Sequence, residues 1–133
     1  MLKINTHQRI HPDWVGTPVV VDDGVAEVTL VLRDEMRGDD TGLVHGGFTF
    51  GLADYAAMLA VNEPTVVLAK ADTAFLAPTQ VGDEVCAKAK VTSSDGKKRI
   101  VDVVVECVVG DEATAVFKGT FHCVVPRKHV LAK

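Results

Sequence analysis

Hydrophobic and polar residues change rhythm twice along this chain. Across residues 25–32 they alternate, with Val25, Glu27, Thr29 and Val31 on one side and Ala26, Val28, Leu30 and Leu32 on the other. A period of two is that of a strand. With "PVVV" at 18–21 and Asp22-Asp23-Gly24 between them, the segment predicts a hairpin. A polar loop, 33–42, follows. Across 44–62, "VHGGFTFGLADYAAMLAVN", the alternation stops and nearly every residue is apolar or small. That predicts one long helix buried on almost all sides. The two-residue rhythm then returns in four pieces, 65–78, 83–92, 99–109 and 112–125. Turns at Asp95-Gly96 and Gly110-Asp111 separate the last three, so the later strands are expected to run antiparallel, as a meander.

These elements predict an α+β fold, with an antiparallel sheet of about six strands wrapped around one long central helix. All of 1–133 is expected to form one domain. Such a sheet leaves part of the helix and a strand edge open, and both favour a dimer.

Two features do not belong in a buried helix. Gly46 and Gly47 open it, although glycine inside a helix costs about 1 kcal/mol relative to alanine. At a helix start the cost is small, and the bare backbone permits close approach. The first-turn amides lack intrahelical acceptors, so a carbonyl oxygen gaining negative charge would be stabilised there. The second feature is Asp54. Its helical neighbours Phe50, Gly51, Ala57 and Met58 cannot pair with it. A buried, unpaired carboxylate is costly, and its apolar setting suits a base or a nucleophile. Three roles are open to His45, just before the helix: orienting the loop, capping backbone groups, or touching substrate.

Gly46 and Asp54 are eight residues apart, roughly 12 Å along one helix axis. One helix does not bring both to a single carbonyl. Two helices antiparallel across a two-fold axis do, with the glycine amide of one subunit facing the aspartate of the other.

"HGGFTFGLAD" at 45–54, "AFLAPTQVGDEVCAKAKV" at 74–91 and "SSDGKKRIVDVVVEC" at 93–107 together resemble the hot-dog fold acyl-CoA thioesterases of the phenylacetate-degradation (PaaI) type, over residues 18–125. The resemblance implies hydrolysis of a small acyl- or aryl-CoA thioester by a homodimer, or by a dimer of dimers. Asp54 matches the family's catalytic carboxylate, either base or nucleophile. Gly46 matches the residue whose amide polarises the thioester carbonyl, with Gly47 beside it, and His45 matches a histidine near the substrate. The pantetheine arm would run between subunits. Coenzyme A would then be part of the substrate, with no separate cofactor.

The chain departs from the family at three positions. Asp39 stands at the substrate-binding position where many relatives carry asparagine, and an acid there would oppose a developing oxyanion. Met58 stands where some relatives carry a threonine that helps place water, and Leu68 where others use a serine. Thr49, Asp72 and Thr73 are the polar residues left to assist. Phe48, Phe50, Met58 and Phe75 are expected to line an apolar acyl pocket. Lys97, Lys98 and Arg99, then Arg127 and Lys128, would suit the CoA phosphates. His122, between Phe121 and Cys123 in a strand, reads as structural, and Tyr55 as packing. Loss of the polar helpers keeps open a non-catalytic acyl-CoA-binding or sensing module. An enoyl-CoA hydratase is disfavoured, since no acid–histidine pairing is evident.

Charge and cysteines narrow the picture little further. Fourteen basic against eighteen acidic residues give a net charge of −4, which argues against nucleic acid as a partner. Cys86, Cys107 and Cys123 are odd in number and widely spaced, which argues against a metal site or a disulfide framework and suits a reducing cytoplasm. The first fourteen residues lack an apolar signal core, and Asp54 interrupts the longest apolar run, so no membrane span is expected.

Overall fold

The computed structural model describes residues 1–133. In chain order it contains α1 (Pro12–Val15), β1 (Thr17–Asp22), β2 (Val25–Val31), a single 3-10 turn (Asp34–Met36), α2 (Gly46–Val61), β3 (Val67–Phe75), β4 (Glu84–Asp95), β5 (Lys98–Val109) and β6 (Glu112–Val124). All six strands form one antiparallel sheet in the order β1-β2-β4-β5-β6-β3. The sheet curls around α2, giving the hot-dog arrangement.

Alternation in sequence becomes inside and outside of the curl. Ala26, Val28 and Leu30 of β2, Val85, Ala87 and Ala89 of β4, and Val101, Val103 and Val105 of β5 are buried against the helix. Leu52, Ala53, Ala56, Ala57, Met58, Leu59 and Ala60 of α2 meet them. Small alanines let strand and helix backbones approach closely, while Phe117 and Phe121 fill the widening space beneath β6.

The meander expected across the last four strands holds only for β4, β5 and β6. β3 lies instead at the far edge, antiparallel to β6. The connection after β3 returns across the molecule and places β4 beside β2. Two backbone bonds fix that return, Leu32 N–H to Asp83 O (2.9 Å) and Gly82 N–H to Leu32 O (2.8 Å). Two short pieces, α1 and the 3-10 turn, lie where the sequence reads as irregular, because three or four residues carry no periodicity.

At its C-terminal end α2 stops on Asn62, whose left-handed backbone (φ 53°) lets its N–H reach Met58 O. The Asn62 side chain then holds the N-terminal segment, accepting from Asn5 N–H at 2.8 Å and donating to Lys3 O at 2.9 Å. No helix is long and apolar enough to cross a membrane.

Candidate functional site

The helix is closed in on most sides but not all. Gly47, Phe50, Gly51, Asp54 and Val61 keep some exposure, whereas most of the remaining positions from Thr49 to Ala60 are buried. At 100° per residue these five fall within one stripe along α2. A β-carbon at Gly51 would meet nothing within 4 Å. The stripe is the surface left over when one curled sheet covers one cylinder.

Asp54 stands in the middle of this stripe. One carboxylate oxygen, Oδ1, is buried and has no hydrogen-bond partner. Burial pushes its pKa up to about 6. Nearby, on the inner face of β6, the Cys123 thiol is pushed up to about 12, first by its own burial and then by the Asp54 charge. A carboxylate with a pKa near neutrality is ionised enough to act at physiological pH yet poorly solvated, so it is a stronger base than an exposed aspartate.

The N-terminal end of α2 builds a second feature. His45 N–H bonds to Met36 O (3.0 Å) and Val44 N–H to Thr79 O (2.9 Å), which fixes the chain as it enters the helix. The Gly46 and Gly47 amides follow as the first helical residues, with no side-chain cap from His45. They open into a cleft of about 530 Å³ lined by Val44, His45, Gly46, Gly47, Thr49, Phe75, Leu76, Ala77, Pro78, Thr79 and Val116. It is apolar apart from the amides, the His45 ring and the two threonine hydroxyls. The Phe75 ring lies against Gly46 and stacks edge-on with Phe117 at 5.1 Å.

The residues singled out in the sequence therefore divide. His45, Gly46, Gly47 and Phe75 share the cleft. Phe48 lies beside it, edge-on to His45 at 6.1 Å. Asp54 is not in the cleft of its own chain. Phe50 packs on Phe117 and Phe121, and Met58 is buried in the core. Asp39 is exposed and turned onto its own loop, where its carboxylate accepts from Thr41 N–H (2.9 Å), Thr41 Oγ1 (2.7 Å) and Leu43 N–H (3.3 Å). The Thr41 hydroxyl, then the loop amides, hold its pKa below the usual range, so its charge is spent locally.

Lys98 and Arg99 line a separate groove of about 370 Å³ at the β4–β5 hairpin, together with Lys70 and His122. Lys97 lies at the hairpin tip, and Arg99 bonds to Gly96 O at 2.7 Å. Sequence reasoning missed Lys70, Thr79 and Trp14. Trp14 packs on Phe48 at 6.2 Å and carries the Arg33 guanidinium 5.6 Å above its ring. Lys70 and Trp14 have no motif around them, and Thr79, inside the 74–91 stretch, is not itself marked by it; folding brings all three to these places.

Comparisons with known proteins agree with this architecture. The Pyrococcus horikoshii protein PH1136 has a crystal structure that superposes with a TM-score of 0.92, at 53% identity over 98% of both chains. The PaaI protein of the E. coli phenylacetic acid degradation operon shares the fold, with a TM-score of 0.74 at 24% identity over 83% of this chain and 78% of that one. Two curated relatives are longer. A methylthioribose-1-phosphate isomerase of Aquifex aeolicus is 50% identical over 92% of this chain, and the transcription factor FapR of Bacillus velezensis is 31% identical over 74% of it. The chain spans 26% of the first and 52% of the second. The thioesterase superfamily model matches residues 41–114, the stretch that runs from the loop before α2 to the start of β6. With more than half of its length matched there, the chain belongs to the thioesterase superfamily.

Proposed function

We propose that the protein hydrolyses the thioester of a small acyl- or aryl-CoA, at two sites built between the subunits of a homodimer. Asp54 is the observation that carries the reading: a carboxylate with one buried, unpartnered oxygen, on the helix face that the chain's own sheet leaves open. An acid has no structural reason to be there. It acts on the thioester carbonyl as nucleophile or through water, while the Gly46 amide of the other subunit receives the oxyanion.

The sheet order supports the dimer. β3 is an edge strand with free backbone groups. Gly46 lies at the Phe75 end of β3, and Asp54 lies near Cys123, which pairs with Leu68 toward the other end. Pairing β3 antiparallel to its own copy about a two-fold near Ala71 brings one chain's Phe75 end beside the other's Leu68 end. Gly46 of one subunit then approaches Asp54 of its partner.

The test is release of free CoA thiol from a panel of acyl- and aryl-CoA esters by wild type, Asp54→Asn and Asp54→Ala. Wild type is expected to release thiol, and both variants to lose about 10²–10⁴-fold in rate. Full activity in Asp54→Ala overturns the site.

A non-catalytic acyl-CoA-binding role is the second reading. It is favoured by the similarity to FapR, which is named as a transcription factor, and by the apolar Met58 and Leu68 where polar helpers were expected. Tight binding of CoA esters without thiol release from any of them would select it.

A further inference from the structure

Thr49 and Thr79 face each other's elements across the cleft at the start of α2, one from the helix and one from the connection after β3. Both are buried, with exposures of 3% and 6%. Neither hydroxyl takes part in a hydrogen bond within the chain. A helical threonine ordinarily returns its hydroxyl to the carbonyl three or four residues back. Here the Thr49 hydroxyl makes no such return bond, and the His45 carbonyl accepts from Phe48 N–H at 3.1 Å. Side chains on a helix lean toward its N-terminus, so Thr49 lies over the turn that carries Gly46 and Gly47. Those two glycines are the first helical residues, whose amides have no intrahelical acceptor. Asp54 Oδ1 is the fully buried side-chain oxygen left without a partner, so these two hydroxyls open onto the cleft that both residues line, where the oxygen of a ligand can accept from them.

We infer that Thr49 and Thr79 are hydroxyl donors to the carbonyl oxygen of the bound acyl group, supplementing the Gly46 amide. This rests on the thioesterase reading but deepens it. It supplies the polar assistance missing at Met58 and Leu68, and it replaces Asp39, whose carboxylate is committed to its own loop. Two neutral O–H donors stabilise an oxygen that gains negative charge, where a carboxylate would repel it. The ligand class is a carbonyl flanked by apolar groups, because Phe75, Leu76, Pro78 and Val116 surround the hydroxyls.

Two matched probes isolate the carbonyl: 2-oxopropyl-CoA, in which a methylene separates sulfur from the carbonyl and prevents hydrolysis, and propyl-CoA, which lacks the oxygen. Calorimetry is run on wild type, Thr49→Val, Thr79→Val and Thr49→Ser. Wild type is expected to prefer the oxo compound about tenfold, each valine variant to lose most of that preference while holding propyl-CoA unchanged, and the serine variant to keep it. Tm provides a second reading. Valine replaces an unpartnered hydroxyl with a methyl of the same shape, so Tm should stay level or rise, whereas a structural hydroxyl would make it fall. The inference is overturned by equal wild-type affinity for the two probes, by no binding of either, by unchanged discrimination in both valine variants, or by a lowered Tm in both. Thiol release measured in parallel separates the two readings. Loss of discrimination in a protein that hydrolyses nothing upholds the hydroxyl donors and rejects the enzyme. Hydrolysis unaffected by both valines does the reverse.

Discussion

A β-carbon placed on Gly46 would stand 3.2 Å from Cε2 of Phe75 and 3.5 Å from its Cζ. The ring therefore takes the space that any larger residue at the head of α2 would need. Phe75 is 55% exposed, so its ring can swing away.

That freedom decides what Gly46→Ala does. At the first helical position the preference for alanine over glycine is small, and the ring yields at small cost, so stability should be nearly unchanged. Activity should fall at least tenfold, since the methyl and the displaced ring both crowd the amide. Thermal unfolding beside thiol release checks the pair of signs. A fall in Tm would mean the glycine serves folding.

Much of this was legible in the sequence because local patterns carry it. The alternation of Ala26, Val28 and Leu30, the unbroken apolar run through α2, and the glycines and acid within it survive folding unchanged. Positions fixed by long-range pairing were not legible. Nothing around 67–75 says that β3 pairs with β6 rather than β4, because that choice is made by the connection that carries β4 to β2. Asp39 is read as a site residue from its place six positions before His45, and the sequence does not show that its carboxylate accepts from Thr41 and Leu43 of its own loop. Thr79 is not marked out within 74–91, and its place at the cleft is set by long-range bonds, Val44 N–H to Thr79 O and Val81 N–H to Gly42 O.

Asp54 links stability to pH with a definite sign. Its folded pKa is about 6, above the ordinary value of 3.8. The native chain thus holds the proton more tightly than the unfolded chain, and stability is lost as pH rises from about 4 through about 6. Ionisation costs on the order of 3 kcal/mol, reached above that window. Asp54→Asn should raise Tm at pH 8 and leave it unchanged at pH 4. The wild-type kcat/KM should rise with pH through about 6, since only the carboxylate acts. A variant that gains no stability at pH 8 would show that Asp54 is solvated or paired in the assembled protein.

Gly119 is a different case from Gly46. A β-carbon there would meet Phe121 Cε1 at 2.8 Å, Thr73 Cγ2 at 2.9 Å and Asp72 O at 3.3 Å. Phe121 is fully buried and cannot swing aside. Gly119→Ala should therefore destabilise by about 1–3 kcal/mol, by forcing β3 away from β6. Urea unfolding measures this, and unchanged stability would mean the edge strand moves freely.

Gly51 tests the open face of α2. Its added β-carbon would touch nothing in the chain, so Gly51→Leu has room in a single subunit. If two helices pack along this stripe, leucine separates them. Light scattering should show the wild-type dimer and a smaller mass for the variant at equal concentration, with the fold retained by circular dichroism. A variant with wild-type mass would place the interface elsewhere.

The shared site makes the strongest demand on the geometry. Gly46→Ala and Asp54→Asn should each lose at least nine-tenths of the activity as homodimers, since every site contains one altered residue. If each site takes Gly46 from one chain and Asp54 from the other, as proposed, a heterodimer of the two has one site carrying both changes and one carrying neither. Co-refolding equal amounts gives half heterodimers with one of two sites intact, so about a quarter of the wild-type rate should return. Were both residues to act within one chain, every site would remain altered, and mixing would give only the average of the two parents. The eight-residue spacing along α2, with Asp54 outside the cleft that holds Gly46, is the reason to expect the quarter.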